Sequence, residues 1–315
     1  MDKRFKFIRS ENTFEGLNDY ATSHCLRLKS KSLFYPVQYS LFNEEKAEGG
    51  FGLRVKEGYF FELLCHGIYG GSIKSSYNEN ENGSKDMLTT EPDITDVKRK
   101  TFMEVKGVGP GQALKLMDGQ IAKYALLQTK EYFSKPSKIR FEIFRHGVSS
   151  IQENYKNKGL EELIKRLSDS VRFLISLPFS VIFKIYLNEG KLTSRHDDER
   201  TYYTLTRLNS TGLNKFIAYP EETLKEFNLN PNDFEIKKRR LPKKITINGF
   251  KINTFPMLSI YDKDHEKATG LINEKIKSNE RISNLFYSFT KGLIGNAPEQ
   301  EDFPGWLSPS DDAPF

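Results

Sequence analysis

Glu91-Pro92-Asp93-Ile94-Thr95-Asp96-Val97-Lys98-Arg99-Lys100-Thr101-Phe102-Met103-Glu104-Val105-Lys106 reads as two short strands around a basic turn, and this stretch decides the fold. Ile94 to Val97 and Phe102 to Lys106 are apolar-rich, and Lys98-Arg99 between them closes a two-residue hairpin. In that register Asp93 lies opposite Glu104. Successive side chains alternate across a strand, so Glu104 and Lys106 share one face while Met103 and Val105 point to the other. Two carboxylates and an ammonium are thereby expected on one surface.

That combination has a chemical use. Magnesium takes oxygen ligands in near-octahedral geometry and keeps several waters, so a few carboxylates plus a phosphate suffice to hold it. The cation polarises a phosphoryl oxygen, acidifies an attacking water and neutralises the leaving oxyanion, while a lysine orients the water or offsets developing charge. Asp93 and Glu104 are the candidate ligands and Lys106 the candidate assistant, a layout suited to metal-dependent phosphodiester hydrolysis.

Pro92-Asp93 followed by Glu104-x-Lys106 resembles the motif of the PD-(D/E)XK, or restriction-endonuclease-like, nuclease superfamily. Flanking segments extend the resemblance. Tyr59 to His66 reads as a helix that is apolar almost all round, hence buried, and carries Glu62 with His66 one turn later. A buried carboxylate needs a metal or a partner. The resemblance implies that Glu62 or His66 completes or orients the metal site; the alternative is that Glu62 pairs with a neighbouring lysine such as Lys56. After the glycine-rich turn at residues 107–111, Gln112 to Leu127 shows apolar residues at helical spacing, and Gln120 and Tyr124 share a face. Gln-x-x-x-Tyr after the Glu-x-Lys strand resembles the RecB-like and phage-exonuclease-like branch, and implies that these two residues line the phosphate path. Lys138 to Arg145 alternates like a strand. The order helix, hairpin, helix, strand across residues 55–146 matches that of the family core.

The resemblance implies Mg2+ or Mn2+ as cofactor. With only Cys25 and Cys65, the four-cysteine iron-sulfur cluster of some RecB-like nucleases cannot form within the chain. Two cysteines in 315 residues also argue against a disulfide scaffold and fit a reducing, cytoplasmic setting. Phosphate-cradling and Gly-x-Ser-x-Gly motifs are missing, so neither ATP use nor a serine nucleophile is supported. His24, His146, His196 and His265 are scattered without zinc-ligand spacing.

Composition is that of a globular chain: 37% hydrophobic and 29% charged, with neither a membrane-length apolar run nor a signal peptide expected. A net charge of +6 suits a polyanion-binding protein, because neutralised phosphates release counterions. The expected fold class is α/β: a lead-in at residues 1–50 packed on the core, a nuclease-type core at residues 51–147, an α+β domain at residues 148–290 and a disordered acidic tail at residues 291–315. In the α+β domain, Val171 to Tyr186 reads as a helix ending at Pro178 with a buried strand beyond it. Thr201 to Thr206 and Lys215 to Tyr219 read as strands, Glu221 to Phe227 as a helix, and Asn248-Gly249 as a hairpin turn. Lys237, Lys238, Arg239 and Arg240 with Lys243 and Lys244 form a basic run expected on a loop, suited to phosphate contacts that position a duplex without reading its sequence. Tyr202, Tyr203 and Arg207 are placed to stack on separated bases, the alternative being that the tyrosines fill a sheet face.

From residue 296 the chain holds Pro, Gly, Ser and acids but no Lys or Arg, and it finishes Asp311-Asp312-Ala313-Pro314-Phe315. Such a segment cannot bury a core. Its tip resembles the C-terminal tip of bacterial single-stranded-DNA-binding proteins, which implies recruitment of proteins that recognise such tails through Asp311, Asp312, Pro314 and Phe315. The activity expected is DNA hydrolysis in recombination, repair, phage replication or defence. The alternatives are a site-specific restriction endonuclease and a non-catalytic DNA-binding or recruitment protein on a nuclease-like fold.

Overall fold

The computed structural model describes residues 6–9, 51–73, 76–78, 92–96, 99–129, 137–148, 160–194, 201–241, 246–247 and 250–280. The lead-in apart from β1 (Lys6–Arg9, paired with β3, Ser76–Asn78), residues 79–91, Lys98, Lys243, Lys244, and the acidic tail with Asp311, Asp312, Pro314 and Phe315 lie outside them.

The centre is a seven-stranded mixed sheet. It takes β2 (Ser72–Ile73), β4 (Ile94–Asp96), β5 (Thr101–Val108), β7 (Lys138–His146), β8 (Val171–Pro178), β11 (Phe234–Arg240) and β14 (Pro256–Asp262), in the spatial order β11-β14-β8-β7-β5-β4-β2. β4 and β5 are an antiparallel hairpin, whereas β5 and β7 run parallel and need a crossover, supplied by β6 (Ala113–Met117) and α2 (Asp118–Thr129). Strand alternation sorts the core onto two faces. Phe102, Phe141, Ile143, Ile175 and Leu177 join Ile121 and Ala125 of α2 and Phe179 and Ile182 of α4 (Phe179–Glu189). Met103, Val105, Phe144, Leu174 and Met257 meet Phe60, Phe61, Leu64 and Cys65 of α1 (Phe51–Tyr69). Helices thus cover both faces of one sheet, an α/β arrangement.

Two glycines fix how α1 leads into the sheet. Gly70, at φ 71°, ends the helix in the left-handed region, its N–H donating to His66 O at 2.7 Å. A side chain at Gly71 would put its Cβ 2.7 Å from the Thr95 carbonyl, so only glycine allows β2 to lie against β4 there.

Several expectations are corrected. Ala113–Met117 is a strand and not the first turns of a helix: it pairs with β10 (Thr201–Asn209), and Leu114 and Leu116 are buried on alternate positions. The order around Pro178 is reversed. Val171–Pro178 is the buried strand and the helix follows, because Pro178 in extended backbone precedes a helix without forfeiting an intrahelical donor. Lys215 to Ala218 belongs to helix α5 (Ser210–Ala218), capped by Asn209 Oδ1, which accepts from Gly212 N at 2.8 Å; Leu213 and Phe216, three apart, bury one stripe. The boundary expected after residue 147 falls inside one sheet, since β8, β14 and β11 continue it beyond β7.

Other elements follow the sequence pattern. α3 (Leu160–Ser170) precedes β8, α6 (Pro220–Glu226) occurs as expected, and β12 (Thr246–Ile247) pairs with β13 (Phe250–Lys251), Asn248-Gly249 between them lying outside the described residues. β9 (Gly190–Ser194), β10 and β6 form a small antiparallel sheet that contributes Tyr203 and Leu205 to the main core. α7 (His265–Ser278) closes the described region. No helix among the described residues is long and apolar enough to cross a membrane.

Candidate active site

The pairs Ile94↔Met103, Thr95↔Phe102 and Asp96↔Thr101 set the hairpin register, and one further step places Asp93 across from Glu104. Asp93 is tied to that strand by the Val105 N–H, which donates to its Oδ2 at 2.8 Å. The turn is held by Arg99, whose backbone N–H donates to Asp96 Oδ1 at 3.0 Å and whose guanidinium meets Asp96 Oδ2 at 2.7 Å.

Glu104 is the focus. It is 4% exposed, and donors from two elements converge on its carboxylate. Lys106 Nζ, on the same face of β5, is 2.5 Å from Oε1; Gln120 Nε2 donates to Oε1 at 3.1 Å; the Tyr124 hydroxyl donates to Oε2. Gln120 and Tyr124 are one turn apart on α2, so a single helix face delivers both. Gln120 Oε1 also accepts from Met117 N at 3.2 Å, which anchors the side chain to the strand that precedes its helix. Tyr124 stands edge-on to Phe141 with ring centres 5.5 Å apart, and Phe141 stacks on Phe179 at 6.0 Å. The aromatic core therefore sets where the Tyr124 hydroxyl can reach.

Burial pushes the Glu104 carboxyl above its ordinary value and the charge of Asp93 adds to the rise, while Lys106 and the Tyr124 hydrogen bond oppose it. Burial and the Glu104 charge likewise push Tyr124 well up, so its hydroxyl stays a donor. Two repelling carboxylates in one desolvated place are what a small divalent cation relieves, and their hard oxygens suit Mg2+ or Mn2+. Among the described residues no group of three or more His, Cys, Asp or Glu side chains is gathered as a metal site.

Glu62 and His66 both lie on α1. Glu62 is half-buried, and its charge reaches both Tyr124 and Cys65, as does that of Asp93. Burial pushes the His66 pKa below its ordinary value, and its Nδ1 is buried without a hydrogen-bond partner among the described residues. His146 is buried beside Phe61, its pKa pushed down to about 4 by burial and by Arg145.

The basic run is an edge strand, not a loop: Lys237, Lys238, Arg239 and Arg240 lie on β11, exposed and paired with β14. Alternation divides it. Ile236 packs on the core shared with α2 and α4, so Lys238 and Arg240 share that side, while Lys237 lies over Tyr261 on the other with Arg239. Lys237 pairs with Glu235 at 3.0 Å, and Lys238 donates to Ala218 O at 3.1 Å. Tyr203 is buried edge-on to Tyr186, which favours the sheet-filling reading of that tyrosine over base stacking, while Arg207 is exposed and pairs with Glu189.

Sequence reasoning missed a buried network on the α1 face. Glu142 accepts from Ser176 Oγ at 2.5 Å and from Tyr69 OH at 2.9 Å, with Arg140 at 3.6 Å. Its signal is the alternation of Lys138, Arg140 and Glu142 along one face of β7, which reads as solvated until β8 and α1 are known to cover it. Compared with protein-family models, curated proteins and solved structures, the chain matches none.

Proposed function

We propose that this chain is a divalent-metal-dependent nuclease that hydrolyses DNA phosphodiester bonds. The observation that carries the reading is the convergence on Glu104 of Lys106, Gln120 and Tyr124, with Asp93 opposite in register. Asp93 and Glu104 would hold Mg2+ or Mn2+, which when bound supplies charge to stabilise the pentavalent phosphoryl group and the leaving oxygen. Lys106, on the surface of β5 beside Glu104, is placed to donate to a phosphate oxygen or an attacking water. Gln120 and Tyr124 hold Glu104 in one orientation, and α2 keeps water from its inner side.

One observation favours a non-catalytic DNA-binding protein on the same fold: both Glu104 oxygens are already satisfied within the chain. Incubating the protein with linear, circular and single-stranded DNA, with magnesium and with chelator, separates the readings. Metal-dependent cleavage of any of the three supports the nuclease. Discrete products from circular DNA indicate a site-specific endonuclease, and binding without cleavage in every arm supports the rival.

The edge strand makes a separate prediction. Lys238→Gln with Arg240→Gln should weaken DNA binding at every sequence and flatten its salt dependence by about one unit of log-log slope per lost phosphate contact. An unchanged slope in a fluorescence-anisotropy salt series would return this face to plain solvation.

A further inference from the structure

On the α1 face of the sheet, near the start of β5, lies a second cavity of about 410 Å³, within the roughly 300–1,000 Å³ range of small-ligand sites. It is distinct from the carboxylate site. Met103 lines it, on the opposite face of β5 from Glu104, and Thr101 lines it about 10 Å along the strand from Glu104. Four cations border it: Arg99, Lys138, Arg140 and Arg239. Arg99 is matched by Asp96 and Arg140 by Glu142. The side chains of Lys138 and Arg239 make no hydrogen bond or ion pair with another described residue, and Asp262 is the one further carboxylate in the wall. Burial pushes Asp262 up to about 6 and Ser180 donates to it at 3.2 Å, so one carboxylate stands against the two cations Lys138 and Arg239. Tyr69 and Tyr261 give the cavity aromatic walls, the latter with Arg140 4.2 Å from its ring centre. Positive charge in excess of the carboxylates among the described residues, beside aromatic surface in a cavity of this size, fits a ligand carrying both a phosphate and a planar ring.

We propose that this cavity binds a nucleoside monophosphate, its phosphate held by Lys138 and Arg239 and its base against the walls formed by Tyr69 and Tyr261. The proposal does not rest on the nuclease reading. It is tested by titration calorimetry of the full chain in chelator with AMP, GMP, CMP and UMP, against inorganic phosphate and adenosine. At least one nucleotide is expected to bind saturably, at one per chain, about tenfold or more tighter than phosphate or nucleoside alone. Lys138→Gln with Arg239→Gln should weaken it about tenfold or more, as loss of charge-assisted hydrogen bonds does. Asp262→Asn, which keeps a partner for Ser180 and removes the opposing charge, should tighten it; this arm stands even if the double variant fails to fold. Glu104→Gln should bind as the wild type does. No saturable heat with any nucleotide, phosphate binding as tightly, affinity unmoved by both sets of variants, or loss of binding in Glu104→Gln would each overturn the assignment.

Discussion

Glu104→Gln is expected to remove magnesium-dependent DNA cleavage by about 10²- to 10³-fold or more while leaving the fold intact. Glutamine fills the same volume beside Lys106, Gln120 and Tyr124 but carries no charge for a cation or for Lys106. The stability effect has the opposite sign. Because burial and Asp93 hold the Glu104 carboxyl above its ordinary pKa, the folded chain binds this proton more tightly than the unfolded one does. The contribution is present below the ordinary glutamate pKa and is lost as pH rises through the raised value. The variant, which has no such proton to lose, should therefore melt at an equal or higher temperature than the wild type near neutral pH without metal, with the gain vanishing toward pH 4. Lys106→Ala should also lose cleavage by about 10²-fold or more, since its ammonium is the side-chain cation beside Glu104. Full activity in either variant would detach the activity from this hairpin.

Phe141→Ala should destabilise the fold by about 3–5 kcal/mol and slow cleavage as well. Phe141 has no exposed surface, stacks on Phe179 and supports the edge of Tyr124. Truncation leaves a cavity in the layer that aims the Tyr124 hydroxyl at Glu104, so kcat should fall by about tenfold or more at a temperature where the variant is still folded. Tyr124→Phe isolates the second effect, because it keeps the ring and removes only the donor. It should reproduce the fall in kcat with little of the stability loss. If Phe141→Ala is unstable yet fully active per folded molecule, the tyrosine does not position Glu104.

What could be read from sequence followed the length of the pattern being read. The hairpin was legible because strand alternation around Asp93 and Glu104 admits one register in which the carboxylates meet; α1 read as a helix apolar almost all round, and α2 and β7 carried clear periodicity. That Gln120 and Tyr124 share a helix face was legible; that both hydrogen-bond Glu104 was not. Short apolar runs were not decidable. Ala113–Met117 and Lys215 to Ala218 each suit helix or strand, and the choice lay with partners distant in sequence: β10 for the first, the Asn209 cap and core contacts of Leu213 and Phe216 for the second. The basic run looked like a loop because four successive charges resemble a solvated turn; β14 turns them into an edge strand and sends alternate residues to opposite faces. Continuation of one sheet through β8, β14 and β11 depends on long-range pairing that no local pattern encodes.

In the proposed nuclease, Asp93 and Glu104 act together as a metal-dependent phosphodiesterase site. The most direct measurement is release of labelled fragments from linear DNA by the wild-type chain and by Asp93→Asn, side by side, in magnesium and in chelator. Cleavage by the wild type in magnesium alone, with the variant at the chelator background, is the predicted result; cleavage that persists in chelator, or that Asp93→Asn retains in full, would contradict it.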